Sequence, residues 1–203
     1  MSFAAEALAC IRGERRVFAG VDFRVEPGGA LILRGPNGAG KSSLLRLAAA
    51  LLRPAAGLLS WDDIDIQEDP EGHRRRLCFV GHQNAVKGAL DAAENLRDWI
   101  AIQGGPADGV AAALEAFGLG GLSDTPVQHF SAGQRRRLAL ARLAASAAPL
   151  WLLDEPTVSL DDEGVACLQA MVSRHRAGGG MVLAATHIDL GLDDAAVLRL
   201  GPA

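Results

Sequence analysis

The residues best suited to chemistry stand in one run, Gly35-Pro36-Asn37-Gly38-Ala39-Gly40-Lys41-Ser42, with Ser43 directly after it. The run fits G-x-x-x-x-G-K-[ST] at every fixed position. Glycines let the chain turn tightly and point successive N–H groups inward. A helix starting at the loop's end adds free N–H groups and the positive end of its dipole. Lys41 can then reach β- and γ-phosphates, and the Ser42 hydroxyl can sit on Mg²⁺. The chemistry implied is binding of a nucleoside triphosphate with its magnesium.

A second run, Leu150-Trp151-Leu152-Leu153-Asp154-Glu155, is an apolar strand ending in two acids. Asp154 can hold Mg²⁺ through water. Glu155 can orient or deprotonate an attacking water. His187 follows the apolar stretch Met181 to Ala185, and Gln83 follows Leu77 to Gly81. Strand ends of an open parallel sheet line one crevice, so both residues are candidates for the same γ-phosphate. Gln83 can ligate Mg²⁺ with its amide oxygen or orient water. A lone histidine is usually a surface or packing residue, but the place of His187 at the strand end favours the functional reading. Further along, Ser131-Ala132-Gly133-Gln134 opens a helix carrying Arg135, Arg136 and Arg137. Ser131 can cap that helix, whose free N–H groups favour an anion. The basic triplet is open to two readings, nucleic-acid contact or support for the anion site. The segment lies away from the phosphate loop of its own chain, which points to two copies packed head to tail, each completing the other's site.

These residues need strands to present them. Ala7 to Ile11, Val17 to Val25, Ala30 to Leu33, Gly57 to Trp61, Leu77 to Gly81, Leu150 to Asp154, Met181 to Ala185 and Val197 to Leu200 read as strands, from apolar runs or alternation. Pro27-Gly28-Gly29 and Asp62-Asp63 read as turns. Helical spacing predicts a helix from Ser42 to near Leu52, stopped by Pro54. It predicts others over Asp161 to His175 and from Ile188 onward. Between Ala89 and Ala148 helical spacing dominates, broken at Gly104-Gly105-Pro106 and again from Gly118 to Pro126. The expected architecture is α/β: a mostly parallel sheet covered on both faces, with a helical lobe over about 87–147 inserted in a single 1–203 domain.

At 203 residues the chain can bury one good core. With 49% apolar and 22% charged residues it reads as globular. A formal charge of -4 argues against the whole surface acting as a nucleic-acid footprint. Cys10, Cys78 and Cys167 stand far apart in apolar or helical patterns and read as core thiols. No apolar run reaches bilayer-spanning length. The start lacks a basic region followed by a long apolar one, so a reducing cytosol without a signal peptide is expected.

Taken together, these motifs resemble those of the ATP-binding subunit of an ABC transporter. Gly35 to Ser42 matches the Walker A loop, Gln83 the Q-loop, and Leu150 to Glu155 Walker B with its catalytic glutamate. Ser131 to Gln134 matches the family signature, with Phe130 and Ala132 as departures. Ser159-Leu160-Asp161 matches the D-loop and His187 the switch histidine. The resemblance covers nearly the whole chain. It implies a P-loop ATPase with an antiparallel N-terminal strand layer, ATP and Mg²⁺ as ligands, and a head-to-tail nucleotide sandwich with a second copy. It also implies integral membrane partners. The family often stacks a tyrosine on adenine, and this chain has none. Arg12 or Phe18 stands near that place.

Several stretches resemble one branch of the family, the ATP-binding subunits that serve cytochrome c maturation. They include Cys10 to Arg15, Gly81-His82-Gln83 with Lys87, Ser131 to Leu143 and Ala148 to Pro156. That likeness implies peripheral attachment to the cytoplasmic face of a bacterial inner membrane. The implied work is ATP-driven haem export or release of a haem-loaded chaperone. No C-x-x-C-H spacing marks a haem site in the chain itself. Two other readings stand beside it. One is an ABC exporter subunit for another substrate. The other is a soluble ABC protein acting on nucleic acid or ribosomes, disfavoured because such proteins usually fuse two domains or carry a coiled coil.

Overall fold

The computed structural model describes residues 1–104 and 107–201. Its centre is a five-stranded, wholly parallel sheet. The strands are β3 (Ala30–Arg34), β6 (Leu77–Val80), β7 (Leu150–Asp154), β8 (Met181–Ala185) and β9 (Ala196–Arg199), in the order β6-β7-β8-β3-β9. Alternate residues of each inner strand serve different cores. Leu31, Leu33, Leu150, Leu152 and Leu183 face one way, and Ile32, Trp151, Leu153, Val182 and Ala184 the other. A sheet buried on both faces needs continuous apolar runs, which is why these strands show no polar alternation.

On one side lie α1 (Lys41–Ala48) and a four-stranded antiparallel sheet of β1 (Phe3–Arg12), β2 (Arg15–Val25), β4 (Ala56–Trp61) and β5 (Ile64–Asp65), ordered β2-β1-β4-β5. The turn between β4 and β5 has Asp62 and Asp63 both at positive φ, 46° and 69°. This suits a two-residue hairpin loop, where aspartate is tolerated. On the other side pack α3 (Ala92–Gln103), α4 (Val110–Glu115), α5 (Ala132–Ala144) and α6 (Asp162–Ala177). Capping boxes start α3, at Asp91 and Glu94, and α5, at Ser131 and Gln134.

Three local readings change. The first helix stops four residues before Leu52, and Pro54 is not the cause. Ala50 turns left-handed at φ 51°, its N–H donating to the Leu47 carbonyl and that of Leu51 to the Arg46 carbonyl, both at 2.9 Å. That is a Schellman ending built on alanine. A short helix, α2 (Pro70–Arg75), occupies a stretch for which the sequence pattern suggested no element. Asp69 caps it through the Gly72 N–H at 2.9 Å, with Pro70 in the first turn. Among the described residues from Ile188 onward there is no helix. Gly191 is left-handed at φ 68° and the Asp189 carboxylate accepts its N–H at 2.8 Å. Leu190 and Leu192 are both buried, a spacing of two that one helix face does not provide. Of the expected break at Gly104-Gly105-Pro106, the last two residues lie outside the described residues. Cys10 and Cys78 are core thiols, and the half-buried Cys167 donates to the Ala116 carbonyl at 2.7 Å. Burial pushes the Cys78 thiol up to about 12.

One buried histidine ties the antiparallel sheet to α1 and α2. Trp61 Nε1 donates to His73 Nδ1 at 2.8 Å. Indole can only donate, so Nε2 carries the imidazole proton and donates to the Ala48 carbonyl at 2.7 Å. The ring is neutral, and burial pushes its pKa below the ordinary 6.5, as it does for His175. Native histidines that resist protonation make the unfolded chain the better proton acceptor. Their contribution to stability is therefore complete above pH 6.5 and falls as pH drops from there toward the lowered native values. His73→Leu strands the Trp61 N–H and the Ala48 carbonyl, at about 1–3 kcal/mol each. Melting from pH 7.5 to 5 should show a lower midpoint throughout and a shallower acid slope than the parent. An unchanged slope would contradict the neutral assignment.

Candidate active site

Four neighbouring strands of the parallel sheet end on the same edge, and each delivers one element of chemistry. In spatial order, β6 leads to Gln83, β7 ends in Asp154 and Glu155, β8 leads to His187, and β3 enters the phosphate loop. The registers Asp154↔Ala185 and Leu33↔Ala185 keep these ends level. The loop itself depends on two glycines. A Cβ at Gly35, φ 150°, would lie 2.3 Å from the Leu200 carbonyl oxygen. One at Gly40, φ 98°, would lie 2.5 Å from Val17 Cγ1 and 2.9 Å from Phe18 Cδ1. Backbone and core wall the loop in, so only glycine fits.

Lys41 is buried, and its Nζ donates to the carbonyls of Gly35 at 2.8 Å and Pro36 at 3.2 Å. The ammonium thus lies across the loop it closes. The Ser42 hydroxyl donates to Asp154 Oδ1 at 3.1 Å. This contact joins the two motifs read separately in the sequence, and Asp154 is only 2% exposed. Among the described residues no cluster of three or more His, Cys, Asp or Glu side chains could hold a metal. A hydroxyl beside one carboxylate is instead an all-oxygen, ligand-poor set. It fits Mg²⁺, which keeps most of its waters and takes one or two protein oxygens beside substrate phosphates.

Glu155 is held in an unusual backbone, left-handed at φ 46°. Such a conformation costs about 1–2 kcal/mol for a non-glycine residue and persists only where neighbours enforce it. Its N–H donates to the Ala185 carbonyl at 2.8 Å, and its own carbonyl accepts Arg136 Nη2 at 2.7 Å. His187 Nε2 lies 3.5 Å from Glu155 Oε1. Arg34 Nη1 donates to the Thr186 carbonyl at 2.6 Å, fixing the chain just before His187. Gln83 is exposed and lines a cleft of about 200 Å³ with Asp154, Arg46 and Arg142.

Ser131, Ala132, Gly133 and Gln134 are not brought to this edge. They line or adjoin a separate cavity of about 310 Å³ with Arg137, Ser159 and Asp161, and no phosphate-loop residue borders it. Ser131 Oγ accepts the Gln134 N–H at 3.1 Å, while Gln134 Oε1 accepts the Ser131 N–H at 2.8 Å. The arginine triplet is not a basic surface patch. Arg136 turns inward, 3% exposed, and Arg137 Nη2 donates to both oxygens of Asp161, at 2.6 and 2.7 Å. That pairing pulls the Asp161 carboxyl down, helped by the Gly164 N–H. Neither arginine was separable from a solvated charge run in the sequence. The signal available was that 136 shares a helix face with Leu140 and Leu143. Of the two candidates for stacking on adenine, Phe18 is 5% exposed and packs under Gly40, whereas Arg12 stands exposed at the end of β1.

Residues 18–158 match the family described as ABC transporter. The chain belongs to that family. The ABC relatives it resembles include the "Cytochrome c biogenesis ATP-binding export protein CcmA" of Rhodospirillum rubrum, 53% identical over 98% of this chain and 85% of the relative. The protein of the same name from Paramagnetospirillum magneticum is 50% identical over 98% of this chain and 94% of that one. Its counterpart from Nitrobacter winogradskyi is 46% identical over 100% of both. The ABC fold itself recurs in an ATP-binding subunit of an ABC transporter, TM-score 0.88 at 24% identity over 98% of this chain and 86% of that one. It recurs again in a dimeric, post-hydrolysis ATP-binding cassette bound to ADP and Pi, TM-score 0.82 at 23% identity over 98% of this chain and 94% of the other. The two-sheet ABC architecture expected from the motifs is the one observed.

Proposed function

We propose that the chain is the ATP-hydrolysing subunit of a membrane ABC complex in c-type cytochrome biogenesis, driving haem export or release of a haem-loaded chaperone. The observation that carries the hydrolase reading is the Ser42–Asp154 contact with Glu155 and His187 beside it. The cytochrome assignment is supported by the names of relatives near half identical along the whole length. Residues 35–43 cradle the phosphates, and Lys41 leaves the Gly35 and Pro36 carbonyls to meet the β- and γ-oxygens. Ser42 and Asp154, with Gln83, would hold Mg²⁺, which when bound would offset the charge on the phosphates. Glu155 takes the proton of the attacking water as its oxygen bonds to the γ-phosphorus. The bond to the β–γ bridging oxygen breaks and ADP departs. His187 steadies Glu155 and the γ-phosphate. Arg12, the exposed candidate, stacks on the base.

The helical lobe, about 87–147 within the single domain, presents Ser131 to Gln134 to the ATP of a second copy. No helix among the described residues is long and apolar enough to cross a membrane. Attachment to the cytoplasmic face of the inner membrane therefore comes through integral membrane subunits. Nucleic acid is not a partner in this reading, because Arg136 and Arg137 are spent on internal contacts. The test is complementation. In a bacterium deleted for its own CcmA, this chain with its cognate membrane subunits should restore covalent haem in c-type cytochromes, and its Glu155→Gln form should not. An ATP-hydrolysing, membrane-bound complex that restores none would contradict the cytochrome assignment.

A further inference from the structure

Arg136 joins three parts of the site that lie far apart in sequence. Its Nε donates to the Pro156 carbonyl at 3.1 Å. Nη2 donates to the Asp154 carbonyl at 3.1 Å and the Glu155 carbonyl at 2.7 Å. Nη1 donates to the Gly81 carbonyl at 2.8 Å and to Asn84 Oδ1 at 3.2 Å. Every nitrogen of the guanidinium is engaged, and four of the five acceptors are backbone carbonyls. Burial pushes its pKa down, and the carboxylates of Asp154 and Glu155 oppose that. A buried cation is costly to keep, and this one bonds carbonyls rather than a directly paired carboxylate. Its bonds define the path of the backbone at the left-handed Glu155 and at the entry to the loop of Gln83. Arg142, two turns further along α5, donates to the Ala85 carbonyl at 2.6 Å and fixes the far side of that loop.

We infer that Arg136 is a positioning residue that sets the Glu155 carboxylate and the Gln83 loop from the same helix that begins with Ser131. It touches no reacting atom in this arrangement. A displacement of the start of α5 reaches Glu155 through one planar group rather than through the sheet. The inference rests on Glu155 being the residue that activates water. Arginine is needed for its fork: a lysine ammonium is a single point with three donors and cannot span the two loops.

The experiment compares Arg136→Lys, Glu155→Gln and the double variant in the complex with its membrane subunits. It reads MgATP affinity, kcat and KM, with thermal unfolding alongside. Arg136→Lys should bind MgATP within about threefold of the parent, because the phosphate loop is untouched. Its kcat should fall by about 10–100-fold with KM little changed, the scale of a misplaced catalytic group. In the Glu155→Gln background the same substitution should cost less than about threefold, since the group being positioned is already gone. Full multiplicative loss in the double variant, or a Lys variant with normal kcat, overturns the inference. If Arg136→Lys does not fold, Arg136→Gln is measured in its place. Failure of both to fold makes Arg136 a folding determinant and also overturns it. Normal turnover in Glu155→Gln would instead defeat the assignment of Glu155 itself.

Discussion

Glu155→Gln is expected to bind MgATP normally and to hydrolyse it about 10²–10⁴ times more slowly. The amide keeps the size of the carboxylate and can still accept a hydrogen bond, but it cannot take a proton. Nothing that binds phosphate is altered: the Lys41 and Ser42 contacts run to Gly35, Pro36 and Asp154, not to Glu155. The backbone at 155 is held by Ala185 and Arg136 through main-chain atoms, so its left-handed conformation should survive the change. His187, 3.5 Å from Oε1, retains a partner. Equilibrium binding and steady-state hydrolysis in the assembled complex separate the two effects. Turnover within a few-fold of the parent would show that another group activates the water.

Lys41→Ala should act on binding itself. Among the described residues the ammonium is the only side-chain cation bonded within the loop, and its carbonyl partners on Gly35 and Pro36 mark where it waits. A charge-assisted hydrogen bond contributes about 1.5–3 kcal/mol, so affinity for MgATP should fall by about 10–100-fold. Lys41→Arg should rescue poorly, because the planar fork has a different reach and Lys41 is already buried. Titration with a fluorescent ATP analogue reads this directly. Unchanged affinity would mean that the loop's N–H groups alone hold the phosphates.

The site was legible in the sequence where function demands a residue type at a fixed place. The glycines of the loop, Lys41, Ser42 and the acid pair after an apolar strand each state their own geometry. The parallel sheet followed from runs such as Leu150 to Leu153, apolar without alternation as strands buried on both faces are, and the antiparallel layer from the family resemblance. Three things were not legible. Ala50 ends α1 in a conformation that glycine usually marks, so proline took the credit. The stretch after Ile188 reads as a helix, but Gly191 turns left-handed and leaves Leu190 and Leu192 both buried at a spacing of two. Arg136 is one letter in a basic triplet, and only tertiary structure shows that its neighbour faces Asp161 while it faces the backbone of Glu155. Side-chain identity reports chemistry; the direction in which a long cation points depends on what packs around it.

We propose that each ATP is completed by two chains, because Ser131 and Gly133 border a cavity that no residue of their own phosphate loop lines. Two heterodimers test it, with membrane subunits present and nucleotide-dependent proximity of the chains as the readout. In the first, one chain carries Ser131→Arg and the other Lys41→Ala. Head-to-tail packing then collects both defects in one composite site and leaves the other site whole. In the second, one chain carries both substitutions beside an unaltered partner, so each composite site has one defect. With equal assembly of the two heterodimers verified, ATP should still draw the first pair together and do so poorly in the second. Equal closure in the two would contradict completion of the site in trans.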